Sequence, residues 1–454
     1  MSQTAVAISG GGHRACLFGL GSLLYLAEAT KSKDVRSIAS VSGGSMANAA
    51  VAQELDFTTA PANEVAELVA RTGDRVARGT LFAAPLTWLY LMLALPVMVI
   101  ALAGPWTLDL SPLPRLTSVL AGALFGAWFL ALRGWVASRA FASTLYSPRG
   151  RATKLREISP ALDHTICATD LHRGENVYFS GRFVCSRAFG LGVPGDLPLH
   201  TAVRCSASFP GAFPAARLRT GRHRFEQPGQ EEAATHRLLA LVDGGVYDNM
   251  ADQWASDLEA RGRQWAALEP DFRSVDELVV VSGSAGLGWR SQRRLSLPLI
   301  GEVLTLGRDV SVLYDNGNSV RRRLLVRRFD QADRDGKGLR GGLVHIEQSP
   351  FKLPEAYAEA DETWPERAAR ARVALTSLER SGLGRAEWAR IAAENSAVKT
   401  TLRGLGHEVS ARILHHAYVL AMVNLHVLLD YPLLEIPGHQ RFEQLIRHAR
   451  EGHR

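Results

Sequence analysis

Charge is missing from one long stretch of this chain: residues 81–108 contain no Asp, Glu, Lys or Arg. Cysteine is scarce as well. Cys16, Cys167, Cys185 and Cys205 lie far apart and make no CxxC pair. That excludes the usual zinc-ligand spacings and a dense disulfide framework, and a reducing compartment accounts for it. The first residues, MSQTAVAISGGG, offer neither a basic n-region nor a long apolar h-region, so no secretory signal is expected. A P-loop is lacking too. The run Gly10-Gly11-Gly12 leads into His13 and Arg14 rather than Gly-Lys-Ser/Thr, and the full GxGxxG spacing with a later acidic ribose binder is not there. Neither an internal repeat nor a low-complexity tail is visible.

What is present suits a folded protein. The 454 residues are 46% hydrophobic and 21% charged, enough for one large α/β domain with additions. The formal charge of +7 fits an anionic surface such as a layer of phospholipid headgroups; codon bias toward Arg would produce the same excess. No nucleic-acid partner is expected.

Residues 5–9 read as a short buried strand that the glycines end, and residues 16–29 carry Leu17, Leu20, Leu24 and their neighbours at helical spacing. The unit then repeats: residues 38–41 as strand, Ser42-Gly43-Gly44 as a tight turn, residues 45–55 as helix. Two such units in a row predict a parallel sheet covered by helices.

The uncharged stretch interrupts this pattern. It is long enough to cross a bilayer at about 20 residues per span, and Pro96 inside it predicts a kink. A second apolar run covers residues 116–132. Trp106 and Trp135 stand where interface aromatics are expected. Arg71, Arg75 and Arg78 precede the pair, and Arg133, Arg139, Arg149, Arg151 and Lys154 follow it. The loop between carries only Asp109 and Arg115. Both flanks are therefore expected on the cytoplasmic side, with a helical hairpin dipped into the membrane. A greasy lid or buried layer in a soluble protein is the alternative.

Beyond residue 150 the α/β pattern resumes. Residues 165–169 and 176–179 predict a strand pair across Arg173-Gly174. Residues 238–242, 277–282 and 342–348 predict strands, and residues 248–261 and 301–325 helices. The end of the chain reads as charged helices and then an apolar one over residues 408–429. His415, His416 and His426 in that helix lack a compact ligand spacing, so no metal is expected. Arg321, Arg322, Arg323, Arg327 and Arg328 form a basic cluster, read as a solvated face or a headgroup contact. The expected division is 1–79 and 136–350 as two parts of a catalytic core, 80–135 as the membrane hairpin, and 351–454 as a helical C-terminal region.

Three segments carry the chemistry. A serine becomes a useful nucleophile when it is exposed, oriented and beside a base. A strand-turn-helix with small neighbours provides the exposure, and Ser40-Val41-Ser42-Gly43-Gly44 has that form, with Ser40 where G-x-S-x-G has its first glycine. The Gly10–Gly12 loop can aim backbone N–H groups at a developing oxyanion. Arg14 is expected at the rim, where it could pair with a phosphate. Asp243-Gly244-Gly245 follows an apolar strand, which puts a carboxylate where α/β sheets keep their active sites.

Taken together and in this order, the glycine loop, the serine turn and the Asp-Gly-Gly turn resemble the patatin-like phospholipases. SGGGHRA and SVSGGS also resemble the corresponding loops of the cytosolic group IV phospholipases A2. Cys205 to Pro214 resembles the family's A-S-x-x-x-P-x-x-F-P segment, and Ala168-Thr169-Asp170 with Gly174-Glu175 its T-D-x-x-x-G-E hairpin. The resemblance covers residues 5–55 and 160–290. It implies a three-layer α/β fold with a mostly parallel central sheet, here interrupted by the hydrophobic hairpin and followed by C-terminal helices. It implies hydrolysis of lipid acyl esters with no cofactor and no metal. Ser42 is then the nucleophile and Asp243 its base, with Gly11 and Gly12 donating to the oxyanion and Arg14 holding the phosphate. The expected partners are membrane lipids and the membrane surface, and the expected place is the cytoplasmic face of a bacterial cell membrane. Two other readings remain: a Ser-His-Asp esterase using His164 or His200, and a non-enzymatic membrane scaffold with an inactive site.

Overall fold

A computed structural model describes residues 2–107, 111–146, 150–226, 237–264, 274–287 and 300–451. Asp109 and Arg149 lie outside the described residues. Ten strands form one mixed sheet: β1 Thr4–Ile8, β2 Val35–Val41, β3 Asp163–Asp170, β4 Glu175–Phe179, β5 Val184–Ser186, β6 Gly190–Gly192, β7 Ala216–Arg219, β8 Leu238–Asp243, β9 Glu277–Ser282 and β10 Arg340–His345. The order is β10-β9-β1-β2-β3-β4-β5-β6. β10 to β3 run parallel, while β4, β5 and β6 turn back antiparallel. The last three residues of β3, beyond its pairing with β2, take β8 as antiparallel neighbour, and β7 adds to β8. This hands Asp243 to the end of β3, beside the end of β2.

The central strands are short and apolar because both their faces are covered. Val6 and Ile8 point to one face, into a core with α1 (Gly12–Glu28), α2 (Gly43–Glu54) and the C-terminal helix His407–Leu429. Ala5 and Ala7 point to the other, toward Met250, Trp254, Leu325 and Phe329. The result is the expected three-layer α/β fold with a mostly parallel sheet. Its largest core joins both ends of the chain, since Leu414, Tyr418 and Phe442 share it with Leu17, Leu20 and Leu24.

Between α2 and β3 come α3 (Ala62–Arg78), α4 (Pro85–Thr107), α5 (Pro112–Ala131) and α6 (Arg133–Thr144). α4 and α5 pack on each other through small residues. A side chain at Gly122 would run into the Ala101 carbonyl, Gly126 faces Met98, and Tyr90 stacks on Phe129 at 5.1 Å. α4 continues through Pro96 as one helix. Its outer faces meet no protein: of the most apolar window of α4 only 11% is buried, against 89% for His407–Leu429. Among the described residues, three helices are long and apolar enough to cross a membrane by length and composition, counting α5 and α6 as one run. The last is a core helix, whereas the hairpin leaves its apolar surface uncovered.

Two predicted helices differ from the observed ones. The segment 248–261 breaks at Ala251, which takes a left-handed φ of 58°, and Asp252–Ser256 and Leu258–Gln264 follow as separate helices. The helix expected over 301–325 extends as Ile300–Asp335. The Arg cluster on it is partly internal: Arg321 grips Asp252 through two bonds of 3.0 Å and lies 3.4 Å from Asp248.

Candidate active site

β2 ends at Val41 and α2 starts at Gly43, so one residue must reverse the chain. Ser42 does so at φ 52° and ψ −116°, a conformation that costs a non-glycine residue about 1–3 kcal/mol. The surroundings hold it there. The Ser42 amide donates to Ser206 Oγ at 2.9 Å, and that hydroxyl donates to the Cys167 carbonyl at 2.6 Å. Ser45 Oγ stands 2.9 Å from Ser206 Oγ and 3.2 Å from Ser40 Oγ. Ser40 donates to the Thr165 carbonyl and accepts from Asn48 Nδ2 at 2.9 Å. The serine in place of a glycine is thus a fully buried member of the hydrogen-bond network behind the turn. Gly43 cannot carry a side chain, because its Cβ would fall on the Gly12 carbonyl. That close approach brings the glycine loop against the serine turn.

In the loop, Gly11 has φ 138° and Gly12 φ 62°, both closed to ordinary side chains. The Gly10 amide donates to Asn249 O and the His13 amide to Thr401 O, each at 3.0 Å. Between them, the Gly11 and Gly12 amides have no acceptor among the described residues. They open the positive end of α1, which favours an incoming negative charge.

Asp243 sits at the end of β8 and is 2% exposed. Its amide donates to Ser208 O at 3.0 Å, and the Gly244 amide donates to Ser206 O at 3.2 Å. Its Oδ1 accepts the Gly245 amide at 2.8 Å. Burial pushes the carboxyl up to about 6; the Gly245 amide and the Ser42 hydroxyl act against that rise. Tyr314, from the helix Ile300–Asp335, covers Gly245, with Cε1 only 2.8 Å from where a Cβ there would be. Burial and the Asp243 charge both raise its pKa, and its buried hydroxyl has no partner among the described residues.

The structure therefore brings Ser42, Gly11, Gly12 and Asp243 to one place at the carboxyl ends of β1, β2 and β8. Arg14 is different. The rim position expected for it is corrected: the side chain is buried, with Nε on Gly283 O at 2.8 Å and Nη1 on Ser396 O at 2.7 Å and Val398 O at 2.5 Å. A cation on α1 is fixed by three backbone carbonyls and ties the glycine loop to the C-terminal region. The spacing after the glycines could not reveal this, since every acceptor comes from far along the chain. Ser206, Asn249 and Tyr314 were missed as supports. Ser206 had a signal, being part of the Cys205 to Pro214 segment; Asn249 and Tyr314 had none.

The histidines lie elsewhere. His164 Nδ1 pairs with Asn48 Oδ1 at 2.7 Å and His200 Nδ1 with Ser138 Oγ at 3.0 Å. Burial lowers them to about 3 and about 4. Among the described residues no histidine is hydrogen-bonded to Ser42 or Asp243. His164→Gln and His200→Gln are each expected to keep hydrolysis within about tenfold of wild type, whereas loss of a triad histidine costs orders of magnitude more. Initial rates on a soluble ester check this, and a loss from either as deep as that of Ser42→Ala would restore the triad reading. His415, His416 and His426 face three separate carbonyls, those of Pro437, Gln348 and Tyr431.

Residues 6–251 match the family profile of patatin-like phospholipases, and the chain belongs to that family. Among solved structures it is similar to the human GIVD cytosolic phospholipase A2, with 14% identity and a TM-score of 0.44 over 100% of this chain and 61% of that one. The chain thus spans about three fifths of that protein's length. It is also similar to VipD from Legionella pneumophila, with 11% identity and a TM-score of 0.27 over 99% of this chain and 88% of that one. No curated protein matches the sequence.

Proposed function

We propose that the protein is a membrane-anchored serine hydrolase that cleaves acyl esters of membrane lipids, of the phospholipase A or lysophospholipase type. The observation that carries this reading is the left-handed turn at Ser42 beside the buried Asp243, under two uncommitted amides. Ser42 Oγ attacks the ester carbonyl while its proton passes to Asp243. The carbonyl oxygen becomes an oxyanion that accepts from the Gly11 and Gly12 amides. Collapse breaks the ester bond, and the leaving alcohol takes the proton from Asp243. Water then attacks the acyl-enzyme, gives a proton to Asp243, and releases the fatty acid as the proton returns to Ser42. No metal or cofactor enters the scheme.

The hairpin α4–α5 supplies the anchor in this reading. Its exposed apolar faces and the basic residues on both flanks support insertion from the cytoplasmic side. The domain boundaries are proposed accordingly, with 80–135 as an insertion in a core made from 1–79 and 136–350.

A fluorophosphonate probe tests the nucleophile directly. The wild-type chain is expected to label at Ser42, and Ser42→Ala to label nowhere. Incubating both with a mixed lipid extract then identifies the substrate by which acyl esters disappear. If the folded wild-type chain stays unlabelled and no ester is consumed, the non-enzymatic scaffold reading replaces this one.

A further inference from the structure

A cavity of about 490 Å³ opens where the hairpin meets the core, and Ser42 does not line it. Pro85 and Leu86 at the foot of α4 form one wall, Arg139 and Ser143 of α6 another, and His200 of α7 (Leu199–Ser206) a third. The volume suits a ligand of lipid-headgroup size. The lining is mostly apolar and, among the described residues, contains no carboxylate. Arg139 has no acidic partner among the described residues; its guanidinium lies 5.6 Å from the ring centre of Trp135, which is itself exposed. His200 has Nδ1 occupied by Ser138, which leaves Nε2 without a partner among the described residues. An unpaired cation beside an aromatic, at the point where an apolar hairpin begins, stands at headgroup depth in a bilayer.

We propose that this cavity binds the phosphate headgroup of an anionic phospholipid that is not the substrate, with Arg139 and His200 on the phosphate and the apolar walls on the glycerol and upper acyl carbons. The shared chemistry is a phosphate monoanion; the apolar lining assigns it to a lipid rather than to free phosphate. The site is separate from the dyad but mechanically joined to it. α7 runs from His200 at the cavity to Ser206, which holds the Ser42 amide, a distance of about 9 Å at helical rise. Phe213, just beyond α7, packs on Leu81, Ala84, Ala137 and Ala140 at the hairpin foot. An occupant would brace the hairpin foot against the helix that supports the nucleophile.

This inference rests on the hairpin's lying in a membrane, so the test reads the two claims separately. Full-length Ser42→Ala protein, which cannot turn lipid over, is purified in detergent. Binding of phosphatidylglycerol, phosphatidylcholine and inorganic phosphate is measured by native mass spectrometry. Phosphatidylglycerol is expected to bind about tenfold more tightly than phosphatidylcholine, and the added change Arg139→Ala to erase that preference. Arg139→Lys should retain most of it, and Lys33→Ala, an equal charge change at a distant exposed site, all of it. Equal binding of the two lipids, an unchanged preference in Arg139→Ala, or displacement by equimolar inorganic phosphate would overturn the proposal. Sedimentation with membranes is scored in parallel. A chain that sediments but shows no lipid preference overturns the cavity site alone, whereas a chain that stays in the supernatant overturns the anchor itself.

Discussion

Asp243→Asn is expected to lose ester hydrolysis by on the order of 10³–10⁴-fold while melting at a higher temperature than wild type at pH 8. Both effects have one cause. Asp243 is buried among groups that do not compensate its charge fully, so its pKa rises from 3.8 to about 6. The folded protein thus holds that proton more tightly than the unfolded chain does. Stability contributed by this group falls as pH climbs from about 4 to about 6 and stays low above it. Asparagine can still accept the Gly245 amide but carries no charge, which removes a penalty on the order of 3 kcal/mol, or a few degrees of melting temperature. At pH 4, where the wild-type carboxyl is protonated, the gain should vanish. As a base, the carboxylate is competent only above its pKa, so wild-type kcat/KM should rise with pH through about 6 and then level. Scanning calorimetry at the two pH values and a pH–rate profile measure these outcomes. A variant that keeps wild-type rates, or a wild-type profile flat between pH 5 and 7, would remove Asp243 from its role.

Cutting out the hairpin should move the protein from the membrane pellet to the supernatant almost completely. Each large apolar side chain returned from lipid to water costs about 1.5–3 kcal/mol, and more than ten are exposed on α4 and α5. The place of the cut matters. Removing all of 80–135 would take out Leu81 and Ala84, which pack with Ala137, Ala140 and Phe213. Replacing residues 88–130 by a short Gly-Ser linker keeps that cluster, and the stacked Tyr90 and Phe129 show that the two ends lie close together. The shortened chain should remain in the supernatant and still label with the fluorophosphonate. A full-length chain that is already soluble in low-salt buffer without detergent would refute the anchor.

The parts of the fold that sequence revealed are those written in local periodicity. β1 with α1, and β2 with α2, follow from an apolar run, small turn residues and a helical stripe. β9 over Glu277–Ser282 matches its apolar run residue for residue. The site was legible for the same reason: Gly11, Gly12, Ser42 and Asp243 each stand at a strand end marked by glycine. What sequence hid depends on distant partners. Arg14 reads like a rim cation until Ser396 and Val398 arrive to bind it. The helix His407–Leu429 is apolar enough for lipid, and only packing against α1 makes it core. Tyr314 reaches the site because Arg321, two turns along the same helix, is clamped to Asp252. The short strands β5, β6 and β7 carry too few residues to display a period of two.

The position of the hairpin within the chain has a consequence in time as well as in space. The ribosome delivers the serine turn first, then the hairpin, and only afterwards β3 and β8 with the aspartate. β2 pairs with β3, so that edge has no neighbour until the intervening helices have been made. That order keeps Ser42 without Asp243 until the hairpin, β3 and β8 have all been made.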